Sequence, residues 1–174
     1  MCSPPKLLAG ILLLMLPLFF GCATGPTAPP TTLEAQFLTS NQVNPNAAGK
    51  PSPIVVRYYE LKSATVFENT DFFTLTDTDK SILANDLLGK DEMEMPPAAE
   101  RTVSRNLDPS TRYLGIVAAY RDLEETHWRV VVPIAPHTPN TFIVRLGKAA
   151  ISVSGSAAEK RGPADSTDKS KFNF

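Results

Sequence analysis

From Thr32 to Ser154 the chain is a succession of short runs rich in β-branched and aromatic residues, separated by turn formers, and only one stretch has a helical period. Leu33, Ala35 and Phe37 alternate with Thr32, Glu34 and Gln36, the pattern of a half-buried strand. Ile54 to Leu61 (IVVRYYEL) has the side-chain chemistry that pleated surfaces favour. Met93 and Met95 alternate with Glu92 and Glu94, and Thr102 to Leu107 precedes an Asp108-Pro109 turn. Tyr113 to Tyr120 (YLGIVAAY) is apolar at odd and even positions alike, which predicts a central strand covered on both faces. Trp128 to Ile134 follows. Thr141 to Leu146 and Ala149 to Ser154 are joined through Gly147-Lys148, the signature of a hairpin.

The exception is Asp71 to Leu88 (DFFTLTDTDKSILANDLL). Ile82, Leu83 and Leu87 fall on one helical face, Asp77 or Thr78 can cap the start, and Gly89 stands where a helix would stop. A parallel α/β sheet needs a helix between most of its strands, and the chain does not supply them. The expected fold is therefore mainly β, a β-sandwich of about eight strands with a short helical insertion at about residues 71–88.

The flanks have different chemistry. Lys6 is followed by an apolar run from Leu7 to Phe20, then Gly21-Cys22. A basic start, a short hydrophobic stretch and a small residue are the order of a secretory signal. The run is about 14 residues, short of the roughly 20 that a spanning helix needs. Residues 1–21 are read as the signal peptide and Cys22 as the lipid attachment site, although Phe19-Phe20 depart from the residues usual before such a cysteine. Several acyl chains at about 0.8 kcal/mol per buried methylene make a near-permanent anchor. Ala23, rather than an aspartate, follows the cysteine, which favours the outer membrane. Residues 22–31 form a proline-bearing tether, the β-domain spans 32–154, and residues 155–174 are small, polar and charged, read as a disordered tail closing on Lys-Phe-Asn-Phe.

Cys2 and Cys22 are the only cysteines, so the domain has neither a disulfide nor a thiolate metal site and is held by packing alone. A formal net charge of −1 and the lack of a basic run give no reason to expect a nucleic-acid partner. His127 and His137 are too far apart for a compact metal motif, and no carboxylate cluster accompanies them. There is no G-x-S-x-G and no glycine-rich phosphate loop. Glu124-Glu125 fall in a turn and read as solvated charge. No catalysis, metal, small-molecule substrate or cofactor is expected beyond covalent lipid on Cys22.

Three stretches carry a family likeness: VRYYELKS (Val56 to Ser63), FENTDFFTL (Phe67 to Leu75) leading to NDLLG (Asn85 to Gly89), and GIVAAYRDLEETHWR (Gly115 to Arg129). In that order behind a lipoprotein signal they resemble the TssJ family, the outer-membrane lipoproteins of the type VI secretion system. The likeness runs from about Leu33 to Val153. It implies a transthyretin-like sandwich that holds a trans-envelope complex at the outer membrane by binding the periplasmic C-terminal domain of the inner-membrane TssM subunit. It also implies that the loop after the first strand, Asn41 to Pro53, meets that partner, with Asn44, Pro45, Asn46 and Lys50 as the contacts. Asn44-Pro45-Asn46 and Gly49 are turn formers, and the prolines at 45, 51 and 53 lower the entropy lost on docking. Tyr120, Arg121, Asp122 and Trp128 are expected to be structural, and Phe72-Phe73 to join helix and sheet. Some transthyretin-like sandwiches hydrolyse 5-hydroxyisourate with a His- and Arg-rich site and a C-terminal Tyr-Arg-Gly-Ser, whereas this chain ends Lys-Phe-Asn-Phe and has only two histidines. The remaining alternative is a generic periplasmic carrier or assembly lipoprotein, which an apolar cavity within the sandwich would favour.

Overall fold

A computed structural model describes residues 28–157; the signal peptide, Cys22, the first part of the tether and the residues after Ala157 lie outside the described residues. Eight strands and a short helical insertion follow in the order β1 (Thr32–Thr39), β2 (Ile54–Leu61), α1 (Thr65–Asn69), α2 (Phe72–Asp77), α3 (Asp79–Leu83), a 3-10 turn (Ala84–Asp86), β3 (Leu87–Met95), β4 (Glu100–Asn106), β5 (Tyr113–Ala118), β6 (Arg129–Pro133), β7 (Pro139–Leu146) and β8 (Ile151–Ala157). They make two four-stranded sheets, ordered β4-β1-β7-β8 and β3-β2-β5-β6. All neighbours are antiparallel except β1 and β7, which run parallel from Thr32 opposite Pro139 to Thr39 opposite Leu146.

The alternating positions of β1 decide how the sheets meet. Leu33, Ala35 and Phe37 point inward and join Ile54, Val56, Tyr58, Leu114, Ile116, Phe142 and Val144 in one core. Their polar neighbours stay at the outer surface, which fixes the register, because a slip of one residue would turn every apolar side chain to water.

The second sheet is covered on both faces. Tyr59, Leu61 and Val117 point away from the first core and are roofed by Phe67, Leu75 and Leu83 of the insertion. That roof explains why β5 reads as apolar throughout. Gly115 is where roof and sheet come closest: a Cβ there would stand 2.6 Å from the Phe67 ring. Arg129 ties the two together by donating to the carbonyls of Phe67 (2.8 Å) and Thr70 (2.6 Å).

The insertion differs in detail from its sequence signature. It begins at Thr65 rather than Asp71 and ends at Asp86, with Leu87, Leu88 and Gly89 belonging to β3. Ala84, at φ 43°, supplies the reversal that ends α3. Gly89 instead lies opposite Glu60 in the sheet, and a Cβ there would come within 3.2 Å of the Glu60 carboxylate. The cap of α2 is Asp71, whose carboxylate accepts from the Thr74 amide at 3.0 Å. That bond holds the Asp71 carboxyl below its ordinary value. Ile82 is exposed while Leu83 is buried, because five residues of α3 cannot carry a continuous apolar stripe.

The last strand continues through Gly155 to Ala157, past the predicted boundary at Ser154, so the first three residues assigned to the tail 155–174 pair with β7. Gly155 permits this: at φ 121° its backbone lies so close to Thr141 that a Cβ would be 2.3 Å from the Thr141 carbonyl oxygen.

Among the described residues two carboxylates are buried in the fold: Asp79, which pairs with Lys90, and Glu60. Glu60 is 3% exposed and accepts from the Asp108 amide (3.0 Å), the Thr111 hydroxyl (3.2 Å) and the Arg105 guanidinium (3.0 Å). It pins the β4–β5 turn to β2.

Candidate functional site

The loop between β1 and β2 leaves the sandwich at the end opposite to the point of chain entry. Thr32 and the residues just before it stand at one pole, where the Leu107 amide donates to the Thr31 carbonyl and the His137 amide to the Thr31 hydroxyl. Thr39 ends the strand at the other pole, about 23 Å away at the ordinary rise of a strand.

The loop is built from inside outward. Val43 is fully buried and roots it in the core. Asn44 follows at φ 47°, a left-handed conformation that asparagine tolerates better than most residues. Its amide nitrogen donates to the Pro53 carbonyl at 2.7 Å, and its Oδ1 accepts from the Arg121 amide at 2.8 Å. The side chain thus closes the base of the loop and ties it to the segment after β5. Asn46 organises the tip: its Oδ1 accepts from the amides of Ala48 (3.0 Å) and Lys50 (2.9 Å), while its own amide donates to the Lys50 carbonyl at 2.9 Å. Gly49, at φ 73°, completes the turn with open space around it.

Of the four loop residues singled out in the sequence, Asn46 and Lys50 are exposed and Pro45 is half-buried, whereas Asn44 is only 4% exposed. Asn44 therefore positions the tip and leaves its neighbours to face outward.

Beside the loop lies a cleft of about 880 Å³. It is lined by Pro45 and Ala47 of the loop, the segment from Tyr120 to Thr126, Phe73 of α2, and Lys148 and Ala149. Tyr120 is buried and donates to the Gly147 carbonyl at 3.2 Å; burial pushes its phenol well above the ordinary value. Arg121, Asp122, Glu124 and Glu125 are exposed at the rim.

Phe72 and Phe73 part company. Phe72 stacks edge-on against the half-buried Trp128 at 5.2 Å, and Arg129 lies over the indole at 4.5 Å, so Trp128 is a link between insertion and sheet. Phe73 is instead 64% exposed and faces the cleft. Consecutive helical residues point roughly 100° apart, so a one-sided contact admits only one of the pair. Nothing local in the sequence marks the cleft, because its walls come from segments about 75 positions apart.

His127 is exposed at an isolated bridge to Ala150, and His137 is exposed in the β6–β7 connection at φ 58°. Among the described residues no three His, Cys, Asp or Glu side chains gather as a metal site, and no helix is long and apolar enough to cross a membrane.

The family model for type VI secretion lipoproteins (VasD, EvfM, TssJ) matches residues 31–149. No curated protein matches the chain. Among solved structures, the type VI lipoprotein TssJ1 from Pseudomonas aeruginosa is similar at 40% identity and a TM-score of 0.72, over 75% of this chain and 100% of that one. Serratia marcescens Lip, a membrane-bound component of the type VI secretion system, is similar at 26% identity and a TM-score of 0.68, over 73% and 98%. A chain from the structure of the type VI TssM C-terminal domain of EAEC is similar at 25% identity and a TM-score of 0.59, over 72% and 99%.

Proposed function

Because the chain belongs to the TssJ family of type VI secretion lipoproteins, we propose that it anchors the trans-envelope complex of that system by gripping the periplasmic C-terminal domain of TssM with its β1–β2 loop. The observation that carries this reading is polarity. The tether enters β1 at one end of the sandwich, and the loop leaves β1 at the other. Lipid on Cys22, inserted in the periplasmic face of the outer membrane, thus leaves the loop facing the periplasm. Pro45, Asn46 and Lys50 form the contact, and Asn44 holds them in place. The protein acts as a structural adaptor, not an enzyme. Similarity to a chain from a TssM C-terminal domain structure supports the choice of partner.

A carrier of small apolar molecules would need an empty interior. The space between the sheets is instead occupied by buried side chains such as Phe37, Tyr58, Met95, Ile116 and Phe142.

The test is a pull-down of the soluble protein from Ala23 onward against the TssM periplasmic domain. Binding that weakens on replacing Pro45, Asn46 and Lys50 together is expected, and no binding at all would overturn the adaptor reading. Cys22→Ser should leave binding in solution intact and abolish secretion in cells. Normal secretion by that variant would remove the lipid anchor from the mechanism.

A further inference from the structure

Phe73 and Ile82 are the exposed large hydrophobic side chains of the described domain, and of the two only Phe73 lines the cleft. An aromatic ring left 64% exposed beside Pro45, Ala47 and Leu123 forgoes the burial that would stabilise it. The same cleft carries Asp122, Glu124 and Glu125. The chain itself contains a segment of matching chemistry beyond the described residues: Lys169-Ser170-Lys171-Phe172-Asn173-Phe174, two lysines and two phenylalanines within six positions. We propose that this segment seats in the cleft of its own domain, with Phe172 or Phe174 against Phe73 and the lysines toward the three carboxylates.

The connection is long enough. Ala157 pairs with Asn140 and so stands at the tether pole, while Ala149 at the cleft precedes the first residue of β8. The distance back along β8 is about 26 Å at strand rise. Fourteen residues, 158–171, can reach at most about 46 Å, more than the distance to be bridged. A segment tethered within reach of its site has an effective concentration on the order of millimolar, so a weak aromatic contact suffices. Arg121 and Lys148, also on the cleft, would face Asp165 and Asp168 of the incoming segment. A seated segment would lie beside Pro45 and Asn46 and compete with anything that docks on the loop. The seating itself needs no partner, so it stands or falls separately from the adaptor reading.

The experiment uses the soluble chain from Ala23 through Phe174, which has no cysteine of its own. Two double variants are made, Ala47→Cys with Asn173→Cys and Glu34→Cys with Asn173→Cys, and disulfide formation under mild oxidation is followed on non-reducing gels. Glu34 is exposed on β1 opposite Thr141 of β7, which pairs with Ser156, so it lies closer to the point where the segment leaves β8. Proximity in the chain alone would therefore favour Glu34. Monomeric crosslinking at least tenfold faster at Ala47, slowed to the Glu34 rate by Phe73→Ala, is expected. Equal rates at the two sites, insensitivity to Phe73→Ala, or dimers in place of monomers would overturn the proposal. Vesicles of phosphatidylethanolamine and phosphatidylglycerol supply the other arm. Co-sedimentation that depends on Phe172 and Phe174, without the Ala47 crosslink, would assign the segment to the lipid surface and overturn the proposal.

Discussion

Replacing Asn44 tests whether the β1–β2 loop is held from within. Asn44→Ala removes a hydrogen bond to the Pro53 carbonyl and another from the Arg121 amide, in a residue that is 4% exposed. Each partner left unsatisfied in a buried setting costs about 1–3 kcal/mol. Alanine at φ 47° adds about 1 kcal/mol of strain that asparagine largely escapes. Water reaching the opened loop base recovers part of the first term, so a loss of about 2–4 kcal/mol is expected. Asn44→Gly relieves the strain but not the lost bonds and should recover about 1 kcal/mol of it. Asn44→Asp keeps an acceptor for the Arg121 amide and loses the donor to Pro53, so it should fall between wild type and alanine. Urea unfolding with an unchanged m-value reads these differences as stability. Binding to the partner should weaken in the same order, because Pro45, Asn46 and Lys50 hang from this brace. A loss below about 0.5 kcal/mol for Asn44→Ala, within the range of ordinary surface changes, would refute the reasoning.

Other sites probe the rest of the structure. Gly115→Ala forces a methyl into the Phe67 ring and should cost at least about 1–3 kcal/mol, with Phe67→Leu in the same chain restoring part of it; thermal melts of the single and double variants decide this. Glu60→Ala strands the Asp108 amide, the Thr111 hydroxyl and Arg105 and should cost about 2–4 kcal/mol, while Glu60→Gln, which keeps an acceptor, should cost less. Asp71 has a carboxyl lowered on folding by the Thr74 amide, so its contribution is complete above the ordinary aspartate pKa and is lost as pH falls through the lower folded value. Amide exchange at Thr74 should accelerate beyond its intrinsic pH dependence across that acid window in wild type and not in Asp71→Asn, which keeps the acceptor without the titration.

The sequence is most legible where burial has a period. The alternation at Leu33, Ala35 and Phe37 identifies β1, and the unbroken apolar stretch at Tyr113 to Ala118 identifies a strand covered twice. The identity of that second cover is less visible. Residues of α1 such as Phe67 have no helical repeat long enough to register, and their roofing role exists only because Gly115 leaves room beneath them. Gly89 reads as a helix stop because glycine is common there, yet in the fold its missing side chain accommodates Glu60 from the next strand. Asn44 shows the same limit at the candidate site. A turn-forming asparagine and a partner-facing one look alike in sequence, and only the positions of Pro53 and Arg121 reveal the side chain's inward bonds. The exposure of Phe73 depends likewise on which of two adjacent aromatics meets Trp128.

The placement of tether and loop on opposite ends of β1 sets how the domain would bear force. Under the proposed function, a pull between a lipid anchor and a partner on the loop would enter at Thr32, and its direct path to the loop would run along β1 to Thr39 as one continuous stretch of backbone. The load passes through covalent bonds. The ladders to β4 and β7 on either side would be loaded in shear along their whole length, and no single rung would be peeled open first. The other strands and the helical roof lie off this line and act as a sleeve that keeps β1 straight. The direct line from tether to loop is thus a single strand paired along both edges.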